Sequence, residues 1–514
     1  MEINTVNFPQ NTPKTLLRFS SSVASLLSLL VIVMAAYQGR SVAQAAVTTH
    51  KQASAGNSTI DATSLPTGFY VATNGNDNNP GTLSEPFQTL ARAQKAMKAS
   101  SSIKTTYVRA GTYTPASGKG CNFGAGASIY LSSSDNGETW SYYPPDGYNS
   151  AIINGQSSVG NSGGDGGNGT GCAFSASTVS NITIVGLQFE NYLYSAFSVD
   201  IGNNIKFIDN VVHHMTAAKW GAGAVATVCT PGIQVKNNYM YNLAYAGIEL
   251  ETSSSCANGL ANDVMSGNAI INSCTWPAVQ GFGNDQNGGD CGAIYMYDRS
   301  TTSTNIQVVN NYIRDVNASS KGAADYGKNG QNGCCAEAVY LDTGTHNVTI
   351  KGNVFAGMMS ACAQLNYPEN VKITGNICDL AADSDYQSIV IYGRGKDEPS
   401  SMLGNTFEHN IVISAGNSTG YGYYGATKTP NPMNITDNVY HNYVGSTIKS
   451  TGNWAVGSDS DPVNTNPQLS GWTYGIAADS AALDTPTSFP KITGGWGPPG
   501  FTIPHNGTAP SCPH

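Results

Sequence analysis

The chain is poor in charged residues: Asp, Glu, Lys and Arg make up 11% of its 514 residues, against about 25% in typical soluble domains. Gly, Ser, Thr and Asn supply its polarity instead, which suits a β-rich exported protein and argues against a helical cytosolic enzyme. The formal net charge is −9, and the sequence has no stripe of basic residues. A nucleic-acid partner is therefore not expected, because contacts with the phosphate backbone require clustered Lys and Arg.

The sequence also lacks an apolar run long enough for a comfortable membrane span, which needs about 20 residues. Its longest run, residues 23–36, follows Lys14 and Arg18 and precedes an A-x-A site at 43–45. This order of features predicts a secretory signal peptide over residues 1–45. An uncleaved anchor is the alternative interpretation. After signal cleavage we expect a secreted or periplasmic monomer with no membrane attachment.

Cysteine pairs with zinc-binding spacing are absent, and all eleven cysteines lie beyond the predicted signal peptide. In an oxidising compartment some of them should form disulfides that hold long loops to the scaffold. The odd number leaves at least one cysteine without a partner in the chain. We expect at least one of the adjacent Cys334 and Cys335 to pair with a loop cysteine, with Cys291 as a candidate.

A seven-residue pattern recurs along the chain, in which apolar and other residues alternate and an asparagine closes the segment. The closing asparagines are 23 to 43 residues apart: Asn210, Asn238, Asn268, Asn311, Asn353, Asn376, Asn410 and Asn438. One short alternating strand per repeat, without a helix, predicts a solenoid of stacked β-coils. Stacked asparagine side chains could bond to one another from coil to coil.

The sequence predicts one elongated domain after the signal peptide and a Ser/Thr/Ala-rich linker at residues 46–66. Residues 67–115 contain entry strands and one amphipathic helix, which would cap the open end of the solenoid. The β-helix itself is predicted over residues 116–460. Residues 461–514 lack the repeat and are expected to form a C-terminal cap and a tail that runs back along the surface.

Three segments carry a family resemblance. The entry segment reads FYVATNGNDNNPGTLSEPFQTLARAQKAM and then TYVRAGTYT, and it resembles the N-terminal segment of bacterial right-handed parallel β-helix proteins of the pectate-lyase-like group. The later segments GGDCGAIYMYDRSTTSTNIQVVNNYIRDV and EAVYLDTGTHNVTIKGNVF resemble central coils of glycosidase-like members. The similarity covers residues 67–470 and implies an all-β, right-handed parallel β-helix. Such a scaffold carries hydrolases, lyases, epimerases, transferases and adhesins, so it does not fix the reaction.

Aligning three predicted strands by their apolar residues places acids and tyrosines on one outer face. One column contains Glu249, Tyr295 and Tyr340, and the next contains Glu251, Tyr297 and Asp342. Further coils are predicted to extend the two columns with Ser198, Asp200, Gln364, Asn366, Val390 and Tyr392. A coil spacing of about 4.8 Å puts Glu251 and Asp342 about 9–10 Å apart at the backbone. Side chains leaning inward would reach the ~6.5–9.5 Å window of an inverting glycosidase.

Other acids flank these columns. Asp290 precedes the strand of Tyr295 and Asp298 closes it, so either could lean towards Asp342. The resemblance gives weight to Asp290 in GGDCGAIY and Asp342 in VYLDTG as the acids of related β-helix hydrolases. The predicted catalytic residues are Asp342, Asp290 and Glu251. The predicted substrate-binding residues are Glu249, Tyr295, Tyr297, Asp298, Tyr340, Asn366, Tyr392 and Arg394. For any single acid, a turn cap or a structural calcium ligand is the alternative.

The leading hypothesis is a secreted glycoside hydrolase acting on a polysaccharide or oligosaccharide by carboxylate acid/base catalysis. It requires no cofactor, and calcium is the one ion considered. A polysaccharide lyase or uronate epimerase is the runner-up; it needs a cation, for which Arg394, Lys396 and Arg299 are candidates, although an acidic groove repels polyuronates. A non-catalytic glycan-binding surface protein is the third hypothesis. The adjacent His213 and His214 are expected to point to opposite faces, which disfavours a shared metal.

Overall fold

The structure is a computed structural model that describes a large part of the chain. The described residues are 65–121, 126–157, 169–216, 222–253, 256, 259–275, 291–300, 302–316, 337–358, 361–380, 388–392, 402–414, 422–423, 433–442, 459–465, 467, 469–470, 475–476 and 494–502. All of them lie in one compact unit, Thr59–His514. No helix within these ranges is both long and apolar enough to pass through a membrane. The predicted signal peptide lies outside them.

The described chain is built almost entirely of strands in three long parallel sheets. Sheet 1 contains β1 (Phe69–Val71), β2 (Thr105–Val108), β5 (Thr139–Tyr142), β8 (Thr183–Val185), β11 (Lys206–Ile208), β14 (Gln234–Lys236), β17 (Val264–Ser266), β20 (Ile306–Val309), β23 (Val348–Lys351), β26 (Lys372–Thr374), β29 (Thr406–Glu408) and β32 (Asn434–Thr436). Sheet 2 contains β3 (Gly111–Tyr113), β6 (Ala151–Asn154), β9 (Gln188–Glu190), β12 (Val211–Met215), β15 (Tyr239–Leu243), β18 (Ala269–Ile271), β21 (Tyr312–Arg314), β24 (Val354–Met358), β27 (Ile377–Leu380), β30 (Ile411–Ser414), β33 (Val439–Asn442) and β34 (Val463–Asn464). Sheet 3 contains β4 (Ala127–Leu131), β7 (Cys172–Ser180), β10 (Ser195–Asn203), β13 (Val225–Val228), β16 (Ile248–Glu251), β19 (Gly292–Tyr297), β22 (Glu337–Asp342), β25 (Ala361–Leu365), β28 (Ser388–Tyr392) and β31 (Gly422–Tyr423). A short antiparallel pair, β35 (Leu469–Ser470) and β36 (Gly475–Ile476), follows.

Each coil contributes one strand to each sheet, and every third strand is a hydrogen-bonded neighbour. Alternate residues of each strand point inward, where Ile184, Phe207, Val235 and Met265 stack in one line of sheet 1 and are fully buried. Apolar burial of this kind, repeated coil by coil, stabilises a solenoid through contacts between neighbouring coils. The predicted all-β parallel β-helix is confirmed.

One α-helix, α1 (Leu90–Ala99), precedes the regular coils. The hydroxyl of Thr89 caps it by accepting a hydrogen bond from the backbone N–H of Arg92 at 3.1 Å. Its buried face carries Leu90, Ala93 and Met97, at the helical spacing expected from the sequence, and it joins the apolar core. The predicted N-terminal capping helix is thereby confirmed.

The closing asparagines form a continuous buried ladder at one corner of the coil. The Nδ2 of Asn238 donates to Oδ1 of Asn268 at 2.9 Å, and Asn268 donates in the same way to Asn311 at 2.9 Å. The ladder continues through the later coils to Asn438, whose Nδ2 donates to Oδ2 of Asp459 at 2.8 Å. The same side chains accept backbone N–H groups, so the ladder satisfies the buried polar groups of the turn.

The C-terminal segment 494–502 lies on the outer surface of sheet 2. The Trp496 ring lies 5.0 Å from the ring of Tyr312, and the Phe501 ring lies 4.3 Å from that of Tyr239. The N–H of Gly497 donates to the carbonyl of Gly267 at 2.8 Å. The segment therefore covers apolar side chains that the sheet turns outward.

Four disulfides occur in the described ranges: Cys121–Cys172, Cys229–Cys256, Cys274–Cys291 and Cys362–Cys378. The suggested bond between Cys291 and the Cys334/Cys335 pair is wrong, because Cys291 pairs with Cys274 in the preceding coil. Cys334, Cys335 and Cys512 lie outside the described residues.

Candidate active site

Sheet 3 brings together six of the acids and tyrosines predicted from the sequence: Glu249, Glu251, Tyr295, Tyr297, Tyr340 and Asp342. The strands β16, β19 and β22 are consecutive neighbours, and their register aligns Glu249 with Tyr295 and Glu251 with Tyr297. The next pairing aligns Tyr297 with Asp342. The two carboxylates of the second column are therefore separated by two coil steps, as the sequence alignment predicts.

The carboxylate of Asp342 is held by donors on both of its oxygens. Oδ2 accepts the hydroxyl of Tyr295 at 2.9 Å. Oδ1 accepts the Nδ2 of Asn366 at 2.8 Å and the backbone N–H of Thr343 at 2.8 Å. Asp342 is 8% exposed, so these bonds fix a carboxylate that faces the cleft from a mostly buried position.

Glu251 lies in a different electrostatic environment. Burial raises the pKa of its carboxyl, a hydrogen bond with Glu249 opposes that shift, and the negative charge of Asp342 raises it further. Glu249 itself is 0% exposed and its Oε2 accepts the backbone N–H of Gly223 at 2.9 Å. The pair Glu251 and Asp342 thus combines a carboxyl that retains its proton to higher pH with a carboxylate surrounded by donors.

The tyrosines divide into two roles. Tyr295 and Tyr340 are buried, with their rings edge to face at 5.2 Å, and the hydroxyl of Tyr340 accepts the Nδ2 of Asn366 at 2.8 Å. Tyr297 is only partly buried, and the guanidinium of Arg299 lies 5.0 Å from its ring centre. Of these three rings, Tyr297 is the one placed at the cleft surface.

Tyr392 requires correction, because the structure turns it into the interior. The register pairs Leu365 with Tyr392 and Gln364 with Ile391, one residue away from the alignment predicted by sequence. Tyr392 is 0% exposed, and its hydroxyl donates to the carbonyl of Met402 at 3.2 Å. Tyr392 is therefore a core residue with no face on the cleft.

Asp298 also requires correction as a cleft residue. It is 1% exposed and lies in the turn after β19. Its Oδ1 accepts the hydroxyl of Thr252 at 2.7 Å and the backbone N–H of Ser300 at 2.9 Å. The carboxylate joins neighbouring turns instead of leaning towards Asp342.

Three charged residues considered from the sequence, Asp290, Arg394 and Lys396, lie outside the described residues. Their predicted roles in catalysis, in substrate binding and as a lyase cation stay predictions. Asn366 is described, and its contacts with Asp342 and Tyr340 place it directly beside the acid pair.

The alignment of three strands missed part of the cleft on the N-terminal side of Glu251. There the strand β13 separates β10 from β16, and it presents Ala226 and Val228 where its neighbours present Ser198 and Asp200. These small residues leave a depression of about 170 Å³ that opens to solvent. Its lining residues are Ser198, Val199, Asp200, Ala226, Thr227, Val228, Glu249 and Glu251. The segment Val225–Val228 gave no clear signal for this coil, because its polar Thr227 pairs with the inward Leu250 while the apolar Ala226 and Val228 face outward.

His213 and His214 do not point to opposite faces, contrary to expectation. The backbone of His214 has a φ of 56°, which breaks the alternation of the strand, and the two Nδ1 atoms lie 2.6 Å apart. Burial, with the neighbouring His214 charge, lowers the pKa of His213 to about 3. The described ranges contain no group of three or more His, Cys, Asp or Glu side chains that could hold a metal ion.

Solved structures similar to this chain include three carbohydrate-related proteins. A GH136 lacto-N-biosidase from Eubacterium ramulus is 10% identical, with 78% of this chain and 67% of that chain covered and a TM-score of 0.45. A complex of XylC with xylose is 10% identical, with 80% and 88% covered and a TM-score of 0.46. An alginate lyase from Paenibacillus sp. str. FPU-7 is 13% identical, with 68% and 95% covered and a TM-score of 0.38. Likeness at this level does not establish a shared reaction.

No curated protein sequence matches this chain. The family described as "Protein of unknown function (DUF1565)" matches residues 73–348, which is more than half of the chain. The chain therefore belongs to the DUF1565 family.

Proposed function

We propose that this protein is a glycoside hydrolase that cleaves a polysaccharide or oligosaccharide bound along the outer face of sheet 3. The observation that carries the proposal is the placement of Glu251 and Asp342 in one outward column, two coils apart. An extended groove on a parallel sheet suits a polymer, and two carboxylates are the groups that glycosidic hydrolysis requires.

The environments of the two acids support different roles for them. Glu251, whose pKa is raised by burial and then by Asp342, would serve as the general acid that protonates the departing glycosidic oxygen. Asp342, surrounded by the donors Tyr295, Asn366 and Thr343, would serve as the base that accepts a proton from water. That water forms the new bond to the anomeric carbon while the bond to the leaving oxygen breaks, and Glu251 supplies the proton that the leaving group needs.

The distance between the coils favours an inverting reaction. Two steps of about 4.8 Å separate the backbones of Glu251 and Asp342, which leaves room for a water between the base and the sugar. The reaction requires no cofactor. Asp290 remains the third predicted catalytic acid.

One further feature bears on the location of the protein, and another bears on the alternative reaction. Four disulfides in the described ranges suit an oxidising compartment, so we place the protein outside the cytoplasm, after removal of the predicted signal peptide. Among the described residues, Arg299 is the candidate cation that favours the runner-up reaction, elimination or epimerisation at a uronate, because its guanidinium lies over Tyr297 beside the acid pair. A lyase would use such a cation to neutralise the substrate carboxylate.

Product analysis of the mature protein on a broad glycan panel tests the proposal, with Asp342→Asn measured in parallel. New reducing ends without the ultraviolet absorbance of an unsaturated uronide, lost in the variant, would support a hydrolase. Appearance of that absorbance would assign a lyase. Saccharide binding without any product, equal in both proteins, would leave a binding protein and overturn the proposal.

A further inference from the structure

Three acids share the second outward column of sheet 3 at alternate coils. The register aligns Asp200 with Val228, Val228 with Glu251, and Glu251 with Tyr297, after which Asp342 follows. Glu251 therefore has an acid two coils away on each side. The side chains between the acids differ in size in the two intervals.

The interval between Glu251 and Asp342 is filled by large side chains. Tyr297 occupies the column itself, and the neighbouring Tyr295 bonds to Asp342. The interval between Asp200 and Glu251 contains Val228, with Ala226 as its neighbour in the first column. The difference in side-chain size produces the depression of about 170 Å³ on that side of Glu251.

We propose that this depression is a binding subsite for one uncharged sugar ring of the glycan, held between Asp200 and Glu251. The proposal rests on the proposed function, since it places the ring next to the acid that would protonate the glycosidic oxygen. The carboxylate of Asp200 accepts hydrogen bonds from sugar hydroxyls, and the carboxyl of Glu251 can donate or accept one from the other side. Val228 offers an apolar floor to the C–H face of the ring.

The charge of the subsite defines the class of sugar. Asp200 is exposed at one wall, and Glu249 and Glu251 form the opposite wall. The ionisable side chains that line the depression are all acids: Asp200, Glu249 and Glu251. A uronate carboxylate placed there would be repelled by the charge of Asp200, and no lining cation would offset that repulsion, even when Glu251 holds its proton. The subsite therefore selects neutral hexose or pentose units over uronates.

Binding of methyl glycosides, followed by saturation-transfer NMR, tests the subsite without requiring turnover. The panel contains neutral pyranosides and the corresponding uronates. We expect binding of at least one neutral glycoside, and weakening by about 10-fold or more in Val228→Tyr, which fills the floor with a ring. Val185→Tyr is the matched control, because Val185 is also a half-buried outward valine at the end of a short strand, in sheet 1. It should bind the sugar as the unaltered protein does.

Asp200→Asn tests the contribution of the Asp200 charge to sugar preference apart from that of the shape of the subsite. It keeps a hydrogen-bonding side chain at the wall, so the preference for the neutral sugar over its uronate should fall several-fold while the neutral sugar still binds. Equal binding of neutral sugars and uronates to the unaltered protein would overturn the proposal. So would unchanged binding in Val228→Tyr.

The subsite and the proposed function can fail separately. Hydrolysis that requires Glu251 and Asp342 but is insensitive to Val228→Tyr would remove the subsite and leave the hydrolase. Neutral-sugar binding that is lost in Val228→Tyr, in a protein that cleaves no glycan, would support the subsite and remove the hydrolase.

Discussion

The hydroxyl of Tyr295 donates a hydrogen bond to Oδ2 of Asp342 at 2.9 Å, linking two neighbouring coils at the acid pair. Asn366, from the following coil, donates to the other oxygen of the same carboxylate at 2.8 Å. Asp342 is thereby fixed from the coils on both sides, and its orientation depends on the stacking of the solenoid. This arrangement makes the neighbouring tyrosine a positioning residue for the proposed base.

Replacement of Tyr295 by Phe removes the donor and keeps the ring. We expect kcat to fall about 10-fold, because a hydrogen bond to a charged group contributes about 1.5–3 kcal/mol, while KM changes little. Steady-state kinetics on the glycan found by product analysis measure both quantities. Tyr130→Phe is the control, since Tyr130 is an exposed tyrosine of β4, the strand at the N-terminal end of the same sheet. A loss in KM alone would contradict the positioning role.

The titration of Glu251 should depend on Asp342. The negative charge of Asp342 is one of the causes that raise the pKa of Glu251, together with the larger effect of burial. In Asp342→Asn we therefore expect the pKa of Glu251 to fall, while it stays above the ordinary value of a glutamate. Difference infrared spectroscopy of the carboxyl stretch, with Glu251→Gln to assign the band, measures the shift. An unchanged midpoint would show that the two acids do not interact.

Asp263 makes stability depend on pH. Burial raises the pKa of its carboxyl to about 8, although its Oδ1 accepts the N–H of Gly232 at 2.7 Å and that of Ile233 at 3.1 Å; the charge of Asp298 adds to the rise. The folded protein holds this proton where the unfolded chain releases it. The free energy of unfolding should therefore decrease as pH rises from about 4 to about 8.

Asp263→Asn should remove that dependence. An amide fits the corner, because Asn405 occupies the same register position in a later coil and accepts the N–H of Val371 at 3.0 Å. We expect the variant to gain about 1–3 kcal/mol at pH 8 relative to the unaltered protein and little at pH 4. Chemical unfolding across this range measures it, with the exposed Asp461→Asn as control. A parallel shift at all pH values would refute the protonated carboxyl.

The asparagine ladder should contribute strongly to stability. Asn268→Ala would leave the backbone N–H of Asn238 without a partner inside the core. It would also remove the side-chain bonds from Asn268 to the carbonyl of Val235 and to the ladder neighbours Asn238 and Asn311. Because each buried unsatisfied group costs about 1–3 kcal/mol, we expect a loss of about 3 kcal/mol in the free energy of unfolding. The exposed Asn203→Ala should change it by less than about 0.5 kcal/mol. Equal effects of the two variants would show that the ladder adds nothing specific.

The sequence predicted the coil architecture and most of the acid column for a physical reason. Strands such as Ile248–Glu251 alternate clearly between apolar and polar residues, so their phase and register follow from the need to bury one face. The strand Ser388–Tyr392 has apolar residues in both phases, and the alternation therefore could not show that Tyr392 points inward.

Other errors came from local backbone geometry that alternation does not encode. The left-handed conformation of His214 brings its ring to that of His213. Asp298 turns away from the cleft because Thr252 and the backbone of Ser300 supply donors in the turn. The open side of Glu251 depends on the small size of Ala226 and Val228, in a coil that the sequence alignment did not include.

The most direct test of the central claim is a double-mutant cycle on kcat/KM with Glu251→Gln, Asp342→Asn and the combined variant. If the two acids act in one step, each single change should cost about 10²–10⁴-fold, and the combined variant should be little worse than either. Losses that multiply, or a single variant that keeps near-full activity on the cleaved glycan, would contradict the account and place the reaction elsewhere on the protein.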